Sequence, residues 1–65
     1  MYNTYKVYQE LRDAKGINDA QVARDTGLYQ PLFSEWKKGK NAPKVDKLYI
    51  LAKYFGVPIE KFLEG

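Results

Sequence analysis

Apolar residues along this 65-residue chain recur at three- and four-residue intervals, and no stretch alternates as a strand would. Tyr5, Tyr8 and Leu11 form one stripe, with Tyr2 preceding it; Val22 and Ala23 form a second. Leu32, Phe33 and Trp36 form a third, and Val45, Leu48, Leu51, Ala52 and Phe55 a fourth; Ile59, Phe62 and Leu63 close the chain. Gly16, Gly27, Gly39 and Gly56 each follow such a stretch, where a helix C-terminus favours glycine. Pro43 and Pro58 stand where the next helix would begin, since a first-turn proline loses no hydrogen bond. The pattern predicts one all-α domain over 1–65, with five short helices near 4–15, 19–26, 30–38, 44–55 and 58–64. Asn18 is placed to cap the second. The last helix either closes the core or leaves an apolar patch for self-association.

The join between the second and third helices is the most informative segment. Ala23 is small enough for close helix crossing, Gly27 permits a sharp turn, and Leu28 and Phe33 can close the corner from inside. Such a corner is either a purely structural bend or a helix-turn-helix, whose second helix enters the major groove of DNA.

Charge sharpens this choice. The net charge is +3, but residues 1–30 are neutral overall, so the excess lies in the second half. There Lys37, Lys38, Lys40, Lys44 and Lys47 are opposed locally only by Asp46. A run of this kind either forms a solvated loop or attracts a polyanion, nucleic acid above all. Composition narrows the chemistry further. With no histidine and no cysteine, the chain lacks the commonest general base, the thiol nucleophile and most transition-metal ligands. An enzyme, a metal site and a cofactor site are not expected. No apolar run approaches the roughly 20 residues of a membrane span, and the N-terminus lacks a signal-peptide pattern, so a soluble, cytoplasmic protein is expected.

Four segments, in order, carry a family resemblance: LRDAKG (11–16), the small-x-x-x-Gly-Leu of 23–28, FSEWKKGKNAP (33–43) and LYILAKYFGVPIEKFL (48–63). Together they resemble the Cro/repressor-type, or lambda-repressor-like, helix-turn-helix domain, also called the xenobiotic-response-element family. The resemblance spans roughly residues 5–64. It implies a five-helix domain of bacterial or phage origin that binds double-stranded operator DNA as a homodimer and regulates transcription. No small-molecule ligand or membrane partner is implied. It makes 30–38 the recognition helix, with base contacts from Tyr29, Gln30, Pro31 and Glu35, of which Gln30 can bond an adenine edge bidentately. Phosphate contacts fall to Asp19, Ser34, Lys38, Lys40, Asn41 and Lys44, the lysines among them lying in the run already marked by charge.

Several positions depart from the family pattern. Asp19 stands where the family has a phosphate-touching glutamine, so backbone N–H groups would carry that contact. Tyr29 replaces the usual Ser or Thr cap, and Pro31 cannot hydrogen-bond to a base. Lys37 stands where a glutamate would pair with the arginine of the first helix, which leaves Arg12 to find Glu35 or phosphate. Glu35 is therefore read either as an acceptor from cytosine or as a neutraliser of a nearby lysine or Arg12. Trp36 is read as core rather than as a stacking platform. These departures support an alternative: a protein-interaction or antitoxin-like module on the same fold.

Overall fold

The computed structural model describes residues 4–63. The chain folds into α1 (Thr4–Lys15), α2 (Asp19–Thr26), α3 (Pro31–Lys37) and α4 (Val45–Phe55), followed by a 3₁₀ turn (Ile59–Leu63). The all-helical class agrees with the periodicity, but there are four α-helices among the described residues rather than five. The expected fifth helix is the 3₁₀ turn: five residues are too few to sustain an α-helix, and Pro58 contributes a carbonyl but no N–H. Lys61 N–H accordingly donates to the Pro58 carbonyl at 3.0 Å, an i to i+3 bond. Tyr2, ahead of the first stripe, and Glu64, in the expected last helix, lie outside the described residues.

Aromatic packing joins α1 to α3. Tyr8 is fully buried and stacks on Phe33 (5.1 Å between centroids) and on Trp36 (5.0 Å), while Tyr5 meets Trp36 edge-on at 5.6 Å. Such pairs add stability beyond the area they bury, about 0.5–1.5 kcal/mol each. Trp36 is core, as its spacing implies, and its Nε1–H donates to Thr4 Oγ1 at 3.0 Å. Val22, Ala23, Leu48, Leu51 and Ala52 complete the centre, and Val7 joins them from α1. Phe62, wholly buried, pins the 3₁₀ turn to this core, while Leu63 remains 43% exposed. The 3₁₀ turn therefore closes the core.

Two expectations for α4 change. Val45 is 70% exposed because it is the first helical residue, at the edge of a buried face that begins at Leu48. Pro43 is buried in the preceding loop, two residues before the helix starts, and Lys44 occupies the N-cap.

The corner is built as the sequence suggests. Asn18 Oδ1 accepts from Gln21 N–H at 2.9 Å and caps α2. Gly27 ends that helix at φ +76°, in the left-handed region, and its N–H returns to the Ala23 carbonyl at 2.8 Å. Gly39 ends the turn after α3 at φ +78°. A Cβ at either glycine meets nothing within 4 Å, so an alanine there is opposed by backbone conformation alone. Gly27→Ala should therefore lower the unfolding free energy by about 1–2 kcal/mol. Chemical denaturation reads this directly, and an unchanged midpoint would show that the turn relaxes to negative φ.

Candidate nucleic-acid interface

The short helix α3 presents one face to the core and one to solvent. Phe33 and Trp36 point inward, whereas Gln30, Pro31, Ser34 and Lys37 are exposed. Pro31 takes the first helical position, where its missing N–H leaves no bond unmade. The opening turn is held by backbone bonds, Leu32 N–H to the Tyr29 carbonyl (3.0 Å) and Phe33 N–H to the Gln30 carbonyl (3.1 Å). Gln30 makes no side-chain capping bond, so its amide is not engaged by the helix it precedes.

Two shallow grooves flank this ridge. One is lined by Asp19, Gln30, Pro31 and Ser34, which brings together residues separated by up to fifteen positions in sequence. The other is lined by Gly27, Leu28, Tyr29, Leu32, Glu35, Asn41 and Lys47. Tyr29 stands at its rim, 74% exposed. Glu35 accepts a hydrogen bond from Asn41 Nδ2 at 3.1 Å, which fastens the loop after α3 back onto the helix. Lys38, Lys40 and Lys44 are exposed along that loop and at the start of α4. Lys47 is the one charged groove residue that the family pattern did not single out. Its position one turn after Lys44 puts the two on neighbouring sides of α4, a spacing visible in the sequence.

Within the chain Arg12 pairs with Asp19 and Asp13 rather than with Glu35. Its Nη1 donates to Asp19 Oδ1 at 2.9 Å, and its Nε and Nη2 donate to Asp13 Oδ1 at 3.1 and 3.0 Å. Asp19 Oδ1 also accepts from the Tyr8 hydroxyl at 2.5 Å. Asp19 therefore does for Arg12 what a glutamate at position 37 would do in the family pattern. Burial opposes the Arg12 charge, but hydrogen bonds to Asp19 and Asp13 outweigh it and hold the pKa above the ordinary arginine value. Tyr8 is driven far above the ordinary tyrosine value, first by burial and then by its bond to the Asp19 carboxylate. The carboxylate of Asp19 is thus turned to α1 and locally neutralised, while its backbone stays in the first turn of α2.

Between α2 and α4, Tyr54 donates to Asp25 Oδ2 at 2.5 Å, and Gln21 Nε2 donates to the same carboxylate at 2.9 Å. Hydrogen bonds from Gln21 and Tyr54 hold the Asp25 pKa below the ordinary aspartate value. Among the described residues no group of acidic side chains is arranged to hold a metal ion. No helix among them is long and apolar enough to cross a membrane.

A helix pair joined by a tight glycine corner, with an exposed second helix and a lysine-rich loop behind it, defines a helix-turn-helix domain. The helix-turn-helix family model matches residues 9–62, and the chain belongs to that family. It is 32% identical over 57 residues to an HTH-type transcriptional activator, BcrR, of Enterococcus faecalis, covering 88% of this chain and 28% of that protein. It is 31% identical over 55 residues to the cryptic phage CTXphi transcriptional repressor RstR of Vibrio cholerae, covering 85% of this chain and 50% of that protein. A third relative, the HTH-type transcriptional regulator DdrOP3 of Deinococcus deserti, is 28% identical over 57 residues, with 88% and 44% covered. The chain thus spans half or less of the length of these curated relatives. No solved structure matches it.

Proposed function

We propose that the protein binds double-stranded DNA sequence-specifically and regulates transcription, with α3 in the major groove and with two copies on a pseudo-palindromic site. The observation that carries this reading is the solvent-facing ridge of α3, flanked by grooves and backed by the lysine loop, in a chain of the helix-turn-helix family. Tyr29, Gln30, Pro31 and Glu35 face the base edges. Gln30 is the principal reader because its amide can bond adenine N6 and N7 together. Glu35, already accepting from Asn41, has a second carboxylate oxygen with which to accept from cytosine. Pro31 offers only apolar contact, suited to a thymine methyl group.

Phosphate contacts come from Ser34, Lys38, Lys40, Asn41 and Lys44, and from the backbone N–H groups at Asp19. The engagement of the Asp19 side chain by Tyr8 and Arg12 favours this division: the carboxylate is drawn to α1, and the helix N-terminus is left to meet the anion. Two half-sites read by two copies would lie about one helical turn apart. Relatives named as an activator and as a repressor both match this domain, so the sign of regulation lies outside its fold. A cytoplasmic location in a bacterial or phage-infected cell follows from this reading.

Selection of binding sites from a random duplex pool, followed by binding of Gln30→Ala to the selected site, tests the proposal. The variant should lose about 1–3 kcal/mol at that site and little at unrelated duplexes. An unaltered sequence preference would remove α3 from the role of reader. No binding of the intact protein to any duplex at low salt would favour the protein-interaction alternative, for which the apolar and charged surface of α4 offers a second face.

A further inference from the structure

The outward face of α4 is unusual for a helix in so small a domain. Among the described residues, two of the five large exposed apolar side chains lie on it, Tyr49 (54%) and Ile50 (37%). Asp46, Tyr49, Ile50 and Lys53 follow the i, i+3, i+4, i+7 spacing of a single stripe. All four are exposed, and the stripe lies opposite the buried Leu48, Leu51 and Ala52. Lys53 folds back so that its Nζ lies 5.7 Å from the centre of the Tyr49 ring. Beside the stripe runs a shallow groove lined by Asp25, Thr26, Tyr49, Ile50, Lys53 and Tyr54. Contiguous apolar surface of this kind, bounded by charge, marks an association face.

The order of charges says what fits it. The stripe is acidic at its N-terminal end, apolar in the middle and basic at its C-terminal end. A second copy of the same helix laid antiparallel across it satisfies both ends at once. With the two-fold axis between positions 49 and 50, Asp46 of each copy meets Lys53 of the other, and Tyr49 meets Ile50. A surface that is complementary to itself under a two-fold rotation is what an isologous dimer requires.

We propose that two copies of this chain associate through α4, antiparallel, with reciprocal Asp46–Lys53 pairs around a Tyr49–Ile50 centre. This inference rests on the homodimer reading above and assigns its surface. The test is sedimentation equilibrium of the full chain, with the helical circular-dichroism signal as the check on folding. Asp46→Lys places like positive charges together at both ends of the contact, and Lys53→Asp places like negative charges there. Each variant alone should dimerise at least about tenfold more weakly than the parent chain. Mixed together they should recover a heterodimer. The two substituted positions then oppose each other with opposite charge, and Lys53 of the first variant meets Asp46 of the second. Ile50→Asp should weaken every combination. If both single charge variants and Ile50→Asp dimerise like the parent, the assigned surface is wrong while the homodimer reading stands. If the parent chain stays monomeric at its solubility limit and occupies a palindromic duplex without pairing, the homodimer reading fails, and a foreign partner becomes the occupant of this face.

Discussion

Asp19→Ala should destabilise the folded protein by about 2–3 kcal/mol, because one carboxylate oxygen serves two donors that have little alternative. The Tyr8 hydroxyl belongs to a fully buried residue, and Asp19 is its acceptor at 2.5 Å. The Arg12 side chain, 16% exposed, would keep Asp13, which is itself 62% exposed, a bond with Tyr5 and the face of the Tyr8 ring, and would lose its more sheltered carboxylate. Removing the acceptor leaves the buried Tyr8 O–H without a group to donate to, though Arg12 still reaches its oxygen, and leaves the guanidinium partly unpaired. The Asp19 side chain is 34% exposed, so water recovers part of the loss, and the full penalty of a buried ion pair does not apply. Asp19→Asn keeps a neutral acceptor and should lose less. Urea unfolding at constant m would register both values. A midpoint for Asp19→Ala equal to that of the parent would show that Arg12 and Tyr8 find other partners.

The same network sets the alkaline limit. The folded-state pKa of Tyr8 is raised, so its contribution is fully present below the unfolded tyrosine value near 10 and is lost as pH rises from there toward the folded value. Above pH 10 the unfolded chain releases this proton while the folded chain retains it, and stability falls by about 1.4 kcal/mol per pH unit. Tyr54, raised by its bond to Asp25, acts in the same direction. Tyr8→Phe should start slightly less stable at neutral pH and decline less steeply above pH 10. An identical decline would move the alkaline sensitivity to other groups.

Legibility in the sequence divides along physical lines. Helix bounds are readable where local chemistry decides them: α1 and α2 begin and end at the residues that periodicity, Asn18 and the glycines mark. The last helix departs from its pattern because Ile59, Phe62 and Leu63 have the spacing of an α-helix, and spacing alone does not register that a five-residue segment after a proline settles into 3₁₀ bonds. Val45 departs for a related reason, since an apolar residue in the first turn of a helix can lie at the edge of the buried face. The partner of Arg12 is not legible from the family pattern, which places the counter-charge at position 37. Asp19, seven residues away, becomes its partner only once α2 folds back against α1. That fold-back is a tertiary fact, as is the meeting of Asp19 with Gln30, Pro31 and Ser34 in one groove. The ridge itself is legible, because Gly27 and Gly39 bracket it and Phe33 and Trp36 fix which side is inward.

The largest expected effect on DNA binding comes from the loop behind that ridge. Lys40→Ala combined with Lys44→Ala should weaken binding to every duplex by a similar factor and leave sequence preference intact. Both side chains are exposed and lie outside the α3 ridge, so they can meet the phosphate backbone but carry no information about bases. Each lysine that neutralises a phosphate releases condensed counterions, and the log–log dependence of affinity on salt flattens by about 0.9 for each contact removed. A protomer losing both should therefore lose about 1.8 from its slope, and a dimer about twice that. The loss in affinity must shrink as salt rises, since screening removes the same contribution from the parent protein. Gln30→Ala gives the opposite signature, a loss confined to one site with the salt slope unchanged. Fluorescence anisotropy across a salt series on one selected and one scrambled duplex separates the two. If the lysine pair changes the preference between those duplexes, the loop reads bases and the division between ridge and loop is wrong. If it leaves the slope untouched, the lysine run is a solvated loop, and the basic face of this domain lies elsewhere.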